Sequence, residues 1–341
     1  MISNTRKKLA VVTVVVTIIV VAVISTWVWS QLSPFERMYS ITRIKSFIAQ
    51  GTVQGGMFAL LALGFTLIYG VAGLVNMSHG AFYMLGVYVF FASFTSLEYS
   101  PFEHSAAILV VAFILALAVV AIAGTTVYRV GIQPVIGDDL ASMVVTVGIL
   151  IAIQQLMLII FGTAYRPVYP FLPGSINILG ATLTYAQVLA FAVSLVLFFC
   201  LWVSITKSKL GGAMRAVSQD RETAMLMGIN TDRLYMLTMA ISTALAAAAG
   251  ILITSSTTRT ANPYIWSHPL ALSFGIVILG GLGSIKGSLI GAFIFGYSEN
   301  FVVSMLPEGS YLKGAVALMV MVLVLLFRPR GLFGKRAELE E

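Results

Sequence analysis

Apolar residues in this chain come in long runs, not in a two- or three-residue rhythm. Ten runs stand out, at 9–29, 47–70, 72–94, 105–127, 141–161, 185–205, 234–255, 269–283, 287–306 and 314–327. A helix needs ~20 mostly apolar residues to cross the hydrocarbon core. Membrane barrels are written instead in short alternating segments, and these runs do not alternate. Helices are the remaining way to satisfy backbone groups in lipid. The pattern predicts an all-α, polytopic transmembrane bundle of about eight to ten spans. Several spans are irregular. The runs at 269–283 and 314–327 are short, and 72–94 opens on Asn76, Ser78 and His79. Glycines crowd around the same places: Gly70, Gly73 and Gly80, then Gly280, Gly281, Gly283 and Gly287. Short, glycine-interrupted segments in both halves point to broken or re-entrant helices around a pathway. Small residues also let helices approach closely, and the two readings are compatible.

Composition agrees. Of 341 residues, 59% are hydrophobic and 10% charged, against about 25% charged in soluble domains. So few charges cannot cover a water-facing surface. The net charge of +7 raises the question of nucleic acid. The basic residues sit in loops between apolar runs, as the cytoplasmic Lys/Arg excess of a membrane protein requires, so no nucleic-acid partner is expected. Cys200 is the single cysteine, which excludes an intrachain disulfide and a cysteine metal cluster. Its place inside an apolar run reads as a small buried residue.

Placing the N-terminus inside and alternating the spans puts 14 of the 20 Lys and Arg inside. Arg37, Arg43, Lys45, Arg166, Arg259 and Lys313 fall outside. The expected protein is multi-pass with both termini cytoplasmic. The first run follows Arg6, Lys7 and Lys8 and ends in Trp27 and Trp29 rather than a small-residue cleavage site. This favours a retained anchor over a cleaved signal. Residues 1–46 then hold an anchor helix and an outside loop, 47–334 the transmembrane domain, and 335–341 a cytoplasmic tail.

The loop 207–233 concentrates eight charged residues. From Met214 to Met227 its pattern suits one short helix, with Gly228 as the stop. Within it, Glu222-Thr223-Ala224-x-x-x-Gly228 resembles the E-A-A-x-x-x-G loop of ABC importer permeases. Thr223 departs mildly from the second position. Three further segments resemble the permeases of high-affinity branched-chain amino acid importers, the LivH type. They are GVAGLVNMSHGAFYMLGVYV at 70–89, ILGGLGSIKGSLIGAFIFGYSEN at 278–300 and FRPRGLFG at 327–334. The resemblance runs from about residue 47 to 334.

That resemblance implies a coupling helix seated in a groove of an ATPase, with Arg215, Asp220, Arg221, Glu222, Ala224 and Gly228 at or beside the contact. It also implies a second related permease as heterodimer partner, two ABC ATPase subunits and an extracytoplasmic substrate-binding protein. ATP and Mg would be bound by the ATPases, and this chain would carry no cofactor. The place is a prokaryotic inner membrane, among its lipids, and the cargo branched-chain amino acids moved by alternating access. Related permeases of the family carry urea and short amides, which keeps that cargo as the alternative.

Residue chemistry adds candidates. Asn76, Ser78, His79 and Gly80 lie where a span should be apolar, so they are paired or face a cavity. His79 either bonds exposed backbone or lines the pathway. Gly281, Gly283 and Gly287 mark the second break. Glu299 is the one acidic residue inside a span, where a bare charge costs ~3 kcal/mol. It is expected near the outer end, or protonated, or paired, with gating, subunit contact or binding of a substrate ammonium as possible roles. His104 and His268 fall on outside loops without further ligands, so no metal site is expected. GGLGSIKG lacks the Ser or Thr that a phosphate-binding loop carries after its lysine. No nucleophile–base set stands out, so the chain reads as a non-enzyme transport subunit. A stand-alone secondary transporter would need coupling carboxylates deep in the spans and would leave the charged loop unexplained. A membrane scaffold would leave the polar, glycine-broken spans unexplained.

Overall fold

A computed structural model describes residues 34–98, 106–178, 180–258, 260–305, 309–329 and 331–334. The expected anchor at 9–29, His104, Arg259 and the tail at 335–341 lie outside these residues. The described helices, in chain order, are α1 (Pro34–Ala72), α2 (His79–Glu98), α3 (Ala106–Val127), α4 (Asp139–Phe161), α5 (Tyr185–Lys207), α6 (Lys209–Gln219), α7 (Arg221–Leu226), α8 (Thr231–Ile253), α9 (Ser267–Gly280), α10 (Ile285–Met305) and α11 (Gly309–Phe327). Each of the nine apolar runs after the first contains one of these helices. Among the described residues, six helices are long and apolar enough to cross a membrane by length and composition. At 14 residues α9 reaches only about 21 Å at 1.5 Å per residue, short of the ~30 Å hydrocarbon core.

Three sequence expectations are corrected. Residues 34–46 are not a loop. They belong to α1, whose 39 residues extend about 58 Å, so α1 outreaches the bilayer and carries Arg43 and Lys45 on the excess. The single helix expected over 214–227 is two, because Asp220 leaves helical geometry (φ −152°, ψ 110°) and starts a new one. Cys200 is exposed on α5. In a bilayer the outer face of a span is apolar, and a free cysteine behaves there as a small hydrophobe.

The bundle is centred on α1, which packs along α10 on one side and α8 on another, while α8 also packs on α2 and α3. Small residues permit this closeness. A Cβ on Gly55 would meet the Phe293 ring at 2.7 Å, and one on Gly86 would meet the Ala247 backbone at 2.6 Å. Hydroxyl pairs join the same faces: Thr52 with Tyr297 at 2.8 Å and Thr66 with Ser288 at 2.5 Å. The Ser242 hydroxyl donates to the Gly64 carbonyl at 2.6 Å.

The chain breaks twice where the glycines are dense. Gly73 (φ +68°) ends α1, and 73–78 run irregularly to α2. The Asn76 carboxamide oxygen accepts from the Ser78 amide at 3.0 Å and its hydroxyl at 2.5 Å. His79 Nε2 lies 3.1 Å from the Leu61 carbonyl. A carbonyl only accepts, so Nε2 carries the proton. These groups are fully buried and act on backbone. The second break, Gly281–Ser284, joins α9 to α10, with Gly281 and Gly283 at φ +100° and +78°. Here the FRPRGLFG segment after α11 has a use: Leu332 and Phe333 donate their amides to the carbonyls of Leu279 and Gly280 at 2.8 and 3.0 Å. They satisfy two orphan acceptors at the end of α9.

The proline- and aromatic-rich loop before α5 is ordered through strands that the sequence did not announce. β1 (Arg166–Pro167) pairs with β4 (Thr260–Ala261), and β2 (Ser175–Ile178) forms a hairpin with β3 (Ala181–Thr184). This cap sits at the end of the bundle opposite α6 and α7.

Candidate functional site: coupling helices and a polar cluster at opposite ends

At one end, α6 lies amphipathically across the bundle, burying Gly211, Met214 and Val217. The Arg215 guanidinium turns back to donate to the Ile205 carbonyl in the last turn of α5. Asp220 caps α7 by accepting from the amides of Glu222 and Thr223 at 2.9 and 3.1 Å. The Thr223 hydroxyl also donates to Asp220, and this bond is the main reason its carboxyl is held below the usual aspartate value. A depressed carboxylate contributes stability above its ordinary pKa and loses it as pH falls through the folded value. The α7 cap is therefore intact at neutral pH and is lost as pH falls below the ordinary aspartate range. Asp220→Ala should raise the hydrogen-exchange rate of the Glu222 and Thr223 amides severalfold while leaving α8 protected.

Arg221 is half-buried, its guanidinium 5.6 Å from the Tyr235 ring centroid. Ala224 is buried, Gly228 (φ +85°) reverses the chain, and the Ile229 amide returns to the Ala224 carbonyl at 3.1 Å. Glu222, Met225, Leu226 and Met227 are left facing outward, Leu226 at 87% and Met227 at 79% exposure. Of the residues singled out in the sequence, Asp220, Arg221, Ala224 and Gly228 thus build α7, while Glu222 is displayed by it. The apolar triplet was not singled out.

At the other end lies Glu299, fully buried on α10. The Gln54 amide of α1 donates to its Oε2 at 2.9 Å. Lys313 Nζ of α11 lies 3.3 Å from Oε2, and His268 Nε2 of α9 lies 3.3 Å from Oε1. The histidine approach does not meet hydrogen-bond geometry, so among the described residues Oε1 accepts no hydrogen bond. Asn300 holds the Gln54 oxygen at 2.6 Å. Four helices meet at one carboxylate. Lys313 and His268 had been assigned to outside loops, because α11 begins five residues before its apolar run and α9 two before. Only their late position and basic character pointed to them.

Cavities open at both ends. One of about 220 Å³ is walled by Met57, Phe58, Leu61, Tyr83 and Leu272, with Gln54, His268 and Lys313 on its rim. A second of about 260 Å³ shares Gln54, Met57, Thr257 and Lys313. At the coupling end a cavity of about 410 Å³ reaches the first break (Gly70–Leu74), Gly283, Arg221 and Tyr235. Between the two ends, residues 62–68 of α1 are all buried. Asn76, Ser78 and His79 line none of these cavities. Gly80 and Gly287 sit at close helix contacts, against Leu270 and Gly280. Among the described residues, no three His, Cys, Asp or Glu side chains are grouped for a metal.

Residues 47–325 match the family described as branched-chain amino acid transport system / permease component. The chain belongs to that family. It is 32% identical to the high-affinity branched-chain amino acid transport system permease protein BraD of Pseudomonas aeruginosa, over 86% of this chain and 96% of that one. It is also 32% identical to the permease protein LivH of Salmonella typhimurium, over 85% and 95%. A probable LivH of Methanocaldococcus jannaschii is 28% identical over 85% and 92%. This permease family member is thus matched along nearly the whole length of its relatives, and the match takes in the breaks, α7 and Glu299.

Proposed function

We propose that this chain is the membrane permease subunit of an ATP-driven importer of branched-chain amino acids, lodged in a prokaryotic inner membrane with α6 and α7 on the cytoplasmic side. The observation that carries this reading is α7. A six-residue helix, fixed by a capping aspartate, a buried alanine and a left-handed glycine, presents Met225, Leu226 and Met227 to water. Soluble surfaces keep such clusters for partners, and the segment is the one that resembles the ATPase-docking loop of importer permeases. Force from a soluble ATPase needs a rigid contact, and this is the rigid, apolar projection at that end.

On this reading ATP and Mg reside in two ATPase subunits, a second related permease completes the pathway and a binding protein delivers substrate at the cavity end. The permease performs no chemistry on its cargo. Cavities at both ends, separated by the packed stretch 62–68 of α1, suit alternating access.

The test is uptake of labelled leucine and labelled urea by cells expressing this chain with its partner subunits, with intact or altered α7. Leucine uptake should fall at least tenfold in Glu222→Lys and Leu226→Asp, with the permease still in the membrane and the ATPase no longer co-purifying. Urea uptake would keep the machine and change its cargo. Uptake that persists without any ATPase would favour a stand-alone transporter.

A further inference from the structure

We infer that the cavity beside Glu299 is a substrate subsite in which Lys313 receives the carboxylate of a small aliphatic amino acid. The inference rests on the importer reading above and names the group that would recognise the cargo within the membrane.

The cavity has two characters. Its buried wall is Met57, Phe58, Leu61, Tyr83 and Leu272, which offers an unbranched or branched alkyl group an apolar contact. Its rim carries Lys313 and His268. At about 220 Å³ it lies below the ~300–1,000 Å³ of drug-sized pockets, so it suits one small molecule. An alkyl body whose carboxylate turns to Lys313 fits such a lining, and the α-ammonium of the same amino acid has the oxygens of Gln54, Thr257 and Ser267 to turn to. Urea has no charge for Lys313 and no alkyl group for the wall, and a sugar would leave the wall in contact with hydroxyls.

The cation is presented rather than buried. An ammonium has three donors, and one faces Glu299 Oε2 at 3.3 Å. Lys313 keeps 29% of its side chain exposed, lines both outer cavities, and has donors left for a second carboxylate. Glu299 is fully buried, fixed by Gln54, which Asn300 fixes in turn. Glu299 is thus a positioning residue. It holds a lysine, which would otherwise point to water, at the mouth of an apolar pocket.

Two measurements test this on the assembled complex. First, leucine uptake is compared in wild type, Lys313→Met, and the double variant Lys313→Met/Glu299→Gln, with membrane assembly followed in each. Wild-type uptake establishes the importer reading independently. The double variant is neutral at the pair and should assemble, yet take up leucine at least tenfold more slowly. Recovery of uptake by the double variant would show that Lys313 serves only to neutralise Glu299, and would overturn the inference. Second, with Lys313 intact, Thr257→Cys in a Cys200→Ser background is labelled by a membrane-impermeant maleimide without binding protein. Millimolar leucine should slow labelling severalfold and leucinamide, which lacks the carboxylate, should not. Equal protection by both, or by neither, would overturn the inference even if the double variant failed to assemble.

Discussion

Gly287→Leu is expected to prevent the protein from assembling. The Cβ alone would overlap the Gly280 carbonyl, and a Cβ on Gly280 would overlap Gly287 in return. Both partners are backbone, so no side chain can rotate away. The α9–α10 hairpin would have to separate. That would strip Thr66 from Ser288 and part α1 from α10. Overpacking that a core can absorb costs ~1–3 kcal/mol. Here there is nothing to absorb it, and the loss should exceed ~4 kcal/mol, the range reserved for a named structural failure. Size-exclusion profiles of detergent extracts would show aggregate in place of a single peak. Gly148→Leu is the control. Gly148 lies on the exposed face of α4 with nothing within 4 Å of its Cβ, and its variant should behave as wild type.

The second large effect concerns the buried carboxylate. Lys313→Met leaves Glu299 fully enclosed with one amide donor from Gln54 and a histidine beside its other oxygen. Removing one partner of a buried pair costs ~3–5 kcal/mol, because the remaining charge is uncompensated. The lysine is partly open to water, so the cost here should be about 2–3 kcal/mol on that same basis. It should appear as a lower melting temperature in detergent. Adding Glu299→Gln removes the stranded charge and keeps a group that Gln54 can pair with. The double variant should melt within a few degrees of wild type. Equal melting of the lysine variant and wild type would mean that the pair contributes nothing to the fold.

Much of this architecture is legible in the residues, for a simple reason. Lipid demands long apolar runs and internal backbone pairing, and both leave marks that need no tertiary information. The glycine clusters around Gly73 and Gly281 marked the breaks because few other residues adopt positive φ. What stayed hidden depended on residues distant in sequence. Leu332 meeting Leu279, Lys313 meeting Glu299 and Gln54, and β1 pairing with β4 are all contacts between separate segments. Residues 34–46 misled because their charges look like a loop, while an over-long helix that leaves the bilayer carries charges freely on its excess. Asp220 misled because an aspartate inside an amphipathic pattern also starts a helix. Gln154 is a polar residue inside an apolar run, and its partner lies far along the chain. That partner is the Trp266 indole, which donates to it at 2.6 Å.

The strap formed by Leu332 and Phe333 has a consequence for how the chain is born. The half-length helix α9 enters the membrane with carbonyls at its end that neither lipid nor its own turn can satisfy. The residues that answer them are translated only after α10 and α11. Until then the hairpin is an open clasp, held by glycine contacts and by whatever water or insertion machinery shields it. Biogenesis thus has a built-in order: the second broken helix cannot lock until the segment after α11 has left the ribosome. A nascent chain stalled between Phe327 and Gly331 should remain protease-sensitive at the α9–α10 turn, although every span is already made.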